Sequence, residues 1–583
     1  MKIFKTEIIE DEPNWYKFYD DVPHHLTYPN YSIYKMVEKA ADKYPKNYAY
    51  NYFGTKETFK NFMEEIEDVA KALKVLGVNI DEKITICMPN TPEAVAAFYA
   101  VNKIGAVASM IHPLSAENEI KYYLNITQSK VLFTIDLAWK RIKNIIKDTT
   151  VEKVIVLSVK SKMPKYMQVA YNVTKENKIE KPIYNDSIIN LKTFIKNGKD
   201  YNKNTYIART GEDEAVILYS GGTTGTPKGI RLSNLNFNAG AMSAFNACNC
   251  LKPGDKVLAI MPIFHGFGLG VCVHTILAHG GQSVLLPQFS AKEFYKLIKK
   301  YKPNFIIGVP TLYEALLNNR KIKNMDLSFV KCAISGGDSL SINLKAKIDT
   351  FFREHGARIQ VREGYGLTES TAGGCLTPKD FYREGSIGIP YPDTYFKIVK
   401  PGTTKECKPN EVGEITIYGP TVMMGYLNNE KETKETLIKH KDDLVWLHTG
   451  DLGYMDEDGF VYYKQRQKRM IISSGYNVYP QHIENIIDSH SSVLVSCVIG
   501  VKHSYKQEVA KAFVVLKDGI EPNEEIRCEI MEYCKKNLAK YELPYEIEFR
   551  NELPKTLVGK VAYTILEKEE KEKEKQEQEK KDN

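Results

Sequence analysis

The sequence predicts an α/β protein: a large N-terminal part with parallel sheet packed by helices, then a small β-rich subdomain, then a small α+β C-terminal domain. Three observations predict it. Two short apolar runs flank a capped helical pattern between residues 83 and 111, short alternating runs near 414–418 sit between glycines and prolines, and a strand, strand, helix succession fills 494–538.

In the first of these, Thr91-Pro92 reads as an N-cap followed by proline at the first helical position, with the helix running to about Lys103 and stopping at Gly105. Residues 83–88 and 106–111 read as short buried strands, giving a β-α-β unit and hence parallel pairing. The same stop excludes residues 91–113 as a membrane span. Upstream, Ile66, Val69, Ala70, Leu73 and Leu76 line one face of a helix that ends at Gly77. In the second region Pro401, Gly402, Gly413 and Gly419 punctuate runs such as Glu414-Ile-Thr-Ile-Tyr418, the pattern of a small β subdomain. In the third, 494–501 and 511–516 read as strands and 523–538 as a helix, a domain of roughly one hundred residues. From Glu567 to Asn583 the chain is almost entirely Glu, Lys and Gln. Its i,i+4 pairs Glu567/Lys571 and Glu569/Lys573 permit a frayed helix, but no apolar face calls for packing, so a disordered tail dispensable for activity is expected.

With 583 residues, 43% hydrophobic and 26% charged, the composition is that of a soluble enzyme of several domains. Residues 1–10 alternate charge and lack an apolar core, which reads against a signal peptide and for a cytoplasmic protein. The ten cysteines form no Cys-x-x-Cys pair and no grouping with histidine at zinc spacing, so reduced thiols and no structural metal are expected. Of the twelve histidines only His24-His25 are neighbours, and they read as a loop. A net charge of +7 without a recognisable binding motif argues against nucleic acid. The lysines dense between 140 and 203 read as a solvated face, with peripheral contact to the anionic inner face of a membrane as the alternative. No feature of the sequence fixes an oligomeric state.

The chemistry concentrates in residues 219–229, Tyr-Ser-Gly-Gly-Thr-Thr-Gly-Thr-Pro-Lys-Gly. Glycines bring backbone N–H groups close to an anion, threonines add donors and Lys228 adds charge, so the loop is built to cradle phosphates. It is not a Walker loop, because a Thr-Pro pair separates Gly225 from Lys228. Read alone it is also an acceptable Gly/Thr-rich turn after a strand at 215–219. Further stretches follow in order: Ser335-Gly-Gly-Asp338 after an apolar run, Glu363-Gly-Tyr-Gly-Leu-Thr-Glu-Ser370, His448-Thr-Gly-Asp-Leu-Gly453, the segment 465–480, and Leu553-Pro-Lys-Thr-Leu-Val-Gly-Lys560.

Together these resemble the signatures of the adenylate-forming (AMP-binding) superfamily, over nearly the whole chain. The resemblance implies two mostly parallel sheets in a large domain at 1–467, a mobile small domain at 468–566 and the tail at 567–583. It also implies binding of ATP and AMP by Ser220, Gly221, Gly222, Thr223, Thr224, Gly225 and Lys228, by Gly336 and Gly337 at an adenine-side turn, and by Tyr365, Gly366, Thr368, Asp451 and Arg466. Glu369 would carry Mg²⁺, since that ion favours hard carboxylate oxygens when it also holds phosphates. Lys468 would be the hinge, Gly475 would let the arm of coenzyme A pass, and Lys560 would reach the reacting carboxylate and phosphate. The implied catalytic set is Lys560, Lys228, Thr368 and Glu369. Two positions depart from the family pattern, Gln465 for glycine and Arg469 for an acid, which puts three cations within residues 466–469.

The implied reaction has two halves: a carboxylate and ATP give an acyl-adenylate and pyrophosphate, and the thiol of coenzyme A then displaces AMP. The run 264–278 suits an apolar tunnel, and 309–317 a pocket-side helix. His265 reads either as a channel gate or as a buried capping histidine. Residues 15–29 are similar to openings of long-chain fatty acyl-CoA synthetases. A medium- or long-chain fatty acid is therefore expected; an aryl acid, a carrier-protein acceptor, or a silent nucleotide or acyl-CoA binding protein are the alternatives.

Overall fold

The computed structural model describes residues 12–174, 179–220, 227–290, 293–322, 324–473, 476–503, 507–556 and 560–582. Two large sheets form its centre. One has eight strands in the order Gly425–Tyr426, Lys228–Ser233, Glu214–Ser220, Val107–Ile111, Lys83–Cys87, Val131–Ile135, Lys153–Leu157 and Ile188–Asn190. From Glu214–Ser220 onward its neighbours are parallel, whereas Lys228–Ser233 runs antiparallel on both sides. The other has nine strands, with a parallel centre of Val361–Tyr365, Cys332–Gly336, Phe305–Gly308, Lys256–Ala259, Gln282–Leu285 and Tyr48–Tyr52.

The helix Pro92–Lys103 shows how sequence builds this centre. Thr91 accepts a hydrogen bond from Ala94 N, proline occupies the first turn, and every residue of the helix is buried. A helix buried all round needs partners on all sides, and here asparagines tie it in. Asn90 donates to the carbonyls of Ala259 and Met261 and accepts from Ile263 N, and Asn102 accepts from Tyr34 N while donating to Asn234. Asn90 thus links the two sheets, and Asn102 ties the helix to the neighbouring helices Ile33–Lys43 and Asn234–Cys248, each satisfying buried backbone groups.

The subdomain is an antiparallel sheet of Tyr395–Val399, Gly413–Tyr418, Val445–Met455, Leu437–Lys439 and Val461–Arg466. The segment from residue 15 clamps it: Trp15, Tyr16 and Tyr19 pack on Trp446 and Phe460, and Asp393 receives His25, Tyr28 and Leu26 N at 2.8 to 2.9 Å. So His25 is a structural contact. The small C-terminal domain is centred on Val493–His503 and Gln507–Leu516, with the helices Pro480–Asp488 and Glu524–Asn537. Among the described residues no helix is long and apolar enough to cross a membrane.

One segment takes a form the sequence did not indicate, and one expectation changes. Residues 267–275 of the apolar run form a π-helix, Phe267–Thr275, in which the Thr275 hydroxyl donates to the carbonyl of Gly270. It passes so close to the chain that a Cβ on Gly268 would stand 2.1 Å from the carbonyl oxygen of Pro262. The tail, in turn, is a helix, Tyr563–Asp582, that starts before residue 567 and docks. Leu566 is buried with Cys497, Ile499 and Phe513, Glu570 meets Lys511 at 2.9 Å, Glu569 meets Arg550 at 3.0 Å and Lys573 meets Glu548 at 3.3 Å. The partners lie more than eighteen residues away, so a reading confined to the tail finds no reason for it to fold.

Candidate active site

A cavity of about 1300 Å³ opens between the large and small domains. Ser220, Lys228, His265, Gly336, Gly337, Tyr365, Gly366, Thr368, Glu369, Asp451, Arg466, Lys468 and Lys560 all line it, so every described residue of the predicted set converges there. Gly221, Gly222, Thr223, Thr224, Gly225 and Gly475 lie outside the described residues.

Strand register explains the convergence. Ser220 and Lys228 face each other across the antiparallel pair that the phosphate-type loop connects. Asp451 and Arg466 are likewise register partners on adjacent strands. Gly336 and Tyr365 end parallel neighbours at the same edge of the nine-stranded sheet, where ligand sites of open α/β sheets form.

Asp451 is buried, and Tyr365 donates its hydroxyl to Oδ2 at 2.6 Å. Nε of Arg466 stands 3.0 Å from Oδ1, yet Oδ1 has no hydrogen bond, because the guanidinium approaches off the donor line. The pair therefore attracts by charge, and the buried Oδ1 is left without a hydrogen-bond donor. Burial pushes the Asp451 carboxyl above its ordinary value against the pull of Arg466. Arg466 also donates to the carbonyl of Thr449 at 3.0 Å.

Lys228 pairs with Glu432 and lies 5.1 Å from the ring of Tyr426, whose hydroxyl donates to Glu369 Oε1 at 3.1 Å. Burial lowers the Lys228 ammonium, and the Glu369 charge opposes that shift. With one oxygen held by Tyr426 and the carboxylate on the cavity wall, Glu369 suits a hard divalent cation.

Lys560 reaches this wall from the small domain. Gly337 has φ +80°, and a Cβ there would lie 3.6 Å from Cε of Lys560. Burial holds the Lys560 ammonium below its usual range, with Asp338 as the main opposing charge. Burial and the Lys560 charge push His265 down to about 3, so its imidazole is neutral. Its Nδ1 accepts from Phe267 N at 3.2 Å, which gives it a capping contact on the cavity wall.

The cation cluster at 466–469 is not left bare. Arg469 turns to the small domain, donates to Glu484 at 2.5 Å and lies 4.6 Å from the ring of Tyr563. Gln465 is buried with neither amide atom hydrogen bonded. Asp338, which ends the Ser335-Gly-Gly-Asp338 stretch, is on the wall as well, whereas sequence reasoning missed Tyr426, Glu432 and Tyr463 there. Glu432 left one local trace, Asn429-x-x-Glu432, which reads only as a helix cap and is one.

The model of the AMP-binding enzyme family matches residues 37–427, and that of the AMP-binding enzyme C-terminal domain matches residues 482–560. A long-chain-fatty-acid–CoA ligase of Bacillus subtilis is 34% identical, covering 96% of this chain and 99% of that protein. A probable 4-coumarate–CoA ligase of Dictyostelium discoideum is 31% identical over 86% of this chain and 89% of its own. The crystal structure of ATP-bound MatB from Rhodopseudomonas palustris superposes with a TM-score of 0.78 at 25% identity, covering 91% of this chain and 98% of its own. Two matching domain models and near-complete relatives make this chain a member of the AMP-binding, adenylate-forming enzyme family.

Proposed function

We propose that this enzyme activates a medium- or long-chain fatty acid with ATP and passes the acyl group to coenzyme A. The observation that carries the proposal is one cavity holding Lys228, Glu369, Asp451, Arg466 and Lys560 together with an apolar wall of Ala244, Phe245, Leu251, Val271 and Phe305. A polar end for a nucleotide and an apolar end for an acyl chain are what the two substrates require. The relatives named as long-chain-fatty-acid–CoA ligases support the same choice.

A carboxylate is a poor electrophile, and joining it to AMP supplies a leaving group, so no protein nucleophile is needed. Catalysis then rests on positioning and on charge. In this reading Lys560 orients the substrate carboxylate at the α-phosphate, Lys228 and Ser220 hold the departing pyrophosphate, and Thr368 donates to the α-phosphate. Tyr365 and the turn at Gly336-Gly337 flank the adenine, Gly366 shapes the loop beside it, and Asp451 with Arg466 fixes the ribose. Glu369 would hold Mg²⁺, which supplies positive charge to the phosphates. Lys468 sits in the short turn Gln467–Arg469 between the domains and is the proposed pivot by which the small domain exchanges Lys560 for the thiol path.

The test is pyrophosphate release over acetate, octanoate, palmitate and 4-coumarate, with and without coenzyme A. Turnover that peaks with a fatty chain and yields a thioester is expected. The similarity to a probable 4-coumarate–CoA ligase supports an aryl acid as the second reading, and a coumarate optimum would establish it. Release without thioester would replace coenzyme A by a carrier protein.

A further inference from the structure

Cys248 ends the helix Asn234–Cys248, Asn249 adopts a left-handed turn at φ +49°, and Cys250 follows. That turn folds Cys250 back on Cys248, with their sulfurs 3.4 Å apart. Cys332, the first residue of the strand Cys332–Gly336, places its sulfur 3.8 Å from that of Cys248. The three Sγ atoms all lie within 4.8 Å of one another. In a tetrahedral site with metal–sulfur bonds of about 2.3 Å, neighbouring sulfurs are about 3.8 Å apart. The three thiols thus already outline one face of a tetrahedron. No other three His, Cys, Asp or Glu side chains converge in this way among the described residues.

The charge around them is unusual. Arg362 is buried, and its guanidinium donates to the carbonyls of Cys248, Ala247 and Thr377 at 2.6 to 2.7 Å. No carboxylate among the described residues is paired with it, and its bonds to the carbonyls of Cys248 and Ala247 hold it beside the sulfur cluster. A divalent ion with three thiolates carries one net negative charge, which this guanidinium neutralises. A buried unpaired cation beside three converging thiols is accounted for by such a ligand set. Cys248 also lines the large cavity among Ala244, Phe245 and Leu251, which supplies an entry path and room for a water as fourth ligand.

We propose that Cys248, Cys250 and Cys332 bind one thiophilic divalent cation of the zinc class, and that the bound ion narrows the apolar end of the cavity. Binding releases three protons and forms three sulfur–metal bonds with no change of oxidation state. The effect on acyl chains rests on the fatty-acid reading above, whereas metal binding does not.

Cadmium titrated into the reduced full-length protein is the test. Thiolate-to-cadmium charge-transfer absorption should saturate at one ion per chain with release of three protons. It should be lost in C332S and in C250S, the latter at the half-buried and least disruptive position, and persist in C528S, which alters an exposed thiol. Bound cadmium should depress pyrophosphate release with palmitate more than with acetate, and C250S should remove that difference. Absence of the absorption in reduced wild type, its persistence in C250S and C332S, or its loss in C528S would overturn the site. If the absorption behaves as expected but cadmium affects all acids alike, the ion site stands and its coupling to the acyl end is refuted.

Discussion

Replacing Lys560 by alanine separates the two half-reactions if the cavity works as proposed. Lys560 comes from the small domain, its Cε lies 3.6 Å from where a Cβ on Gly337 would be, and Asp338 and Asp451 act on its charge. Burial lowers its ammonium, so the folded protein holds this cation at a cost and alanine should not lower thermal stability. Removing one preorganised charged donor from such a site typically raises the barrier by about 2.7–4 kcal/mol, or 10² to 10³ in rate. K560A should therefore lose about that factor in pyrophosphate release from ATP and palmitate. Thioester formation from chemically prepared acyl-adenylate and coenzyme A, measured in the same variant, should change by less than about tenfold, or 1.36 kcal/mol. Equal losses in both steps would refute the assignment. A drop in melting temperature large enough to explain both would show that Lys560 supports the domain interface.

Three further outcomes follow from the contacts. K228A should reduce kcat/KM for ATP by about 10², as for loss of another charged donor, while E432Q, which frees Lys228 from its partner, should lower the KM for ATP about fivefold, the worth of a part-buried ion pair near 1 kcal/mol. Steady-state kinetics decides, and a raised KM in E432Q would mean that Glu432 orients Lys228. Ending the chain after Leu566 should destabilise the small domain by about 1.5–3 kcal/mol through loss of Glu570 from Lys511, whereas ending it after Lys573 should cost nothing measurable in a urea titration. Glu363 is buried and raised from 4.5 to about 8, so the folded state holds this proton more tightly than the unfolded chain. That contribution is full below pH 4.5 and is lost as pH rises through about 8, with an upper limit of about 5 kcal/mol. E363Q should gain on wild type steadily between pH 5 and 8 and hold a constant lead above, and a gap independent of pH would contradict this.

What the sequence displays and what it hides divide along a physical line. Thr91-Pro92, Gly105 and the glycines around Tyr365 act within a few residues through caps, turns and backbone access, and so they can be read in order along the chain. The motif residues of the site are legible for the same reason, although only register brings Asp451 opposite Arg466 and against Tyr365. The contacts between motifs are different in kind. Glu432 reaches Lys228 across 204 positions and Cys332 reaches Cys248 across 84, and no local pattern marks either pair. The tail shows the consequence most clearly. Judged by its own composition it has no apolar face and should stay unfolded, yet Lys511 already gathers Glu546 and Glu548 at 3.1 and 3.0 Å, and Glu570 completes that set around a buried ammonium. A helix too polar to fold for hydrophobic reasons is held because it satisfies a charge buried elsewhere. Composition measures what a segment can bury, whereas this segment is ordered by what it can neutralise.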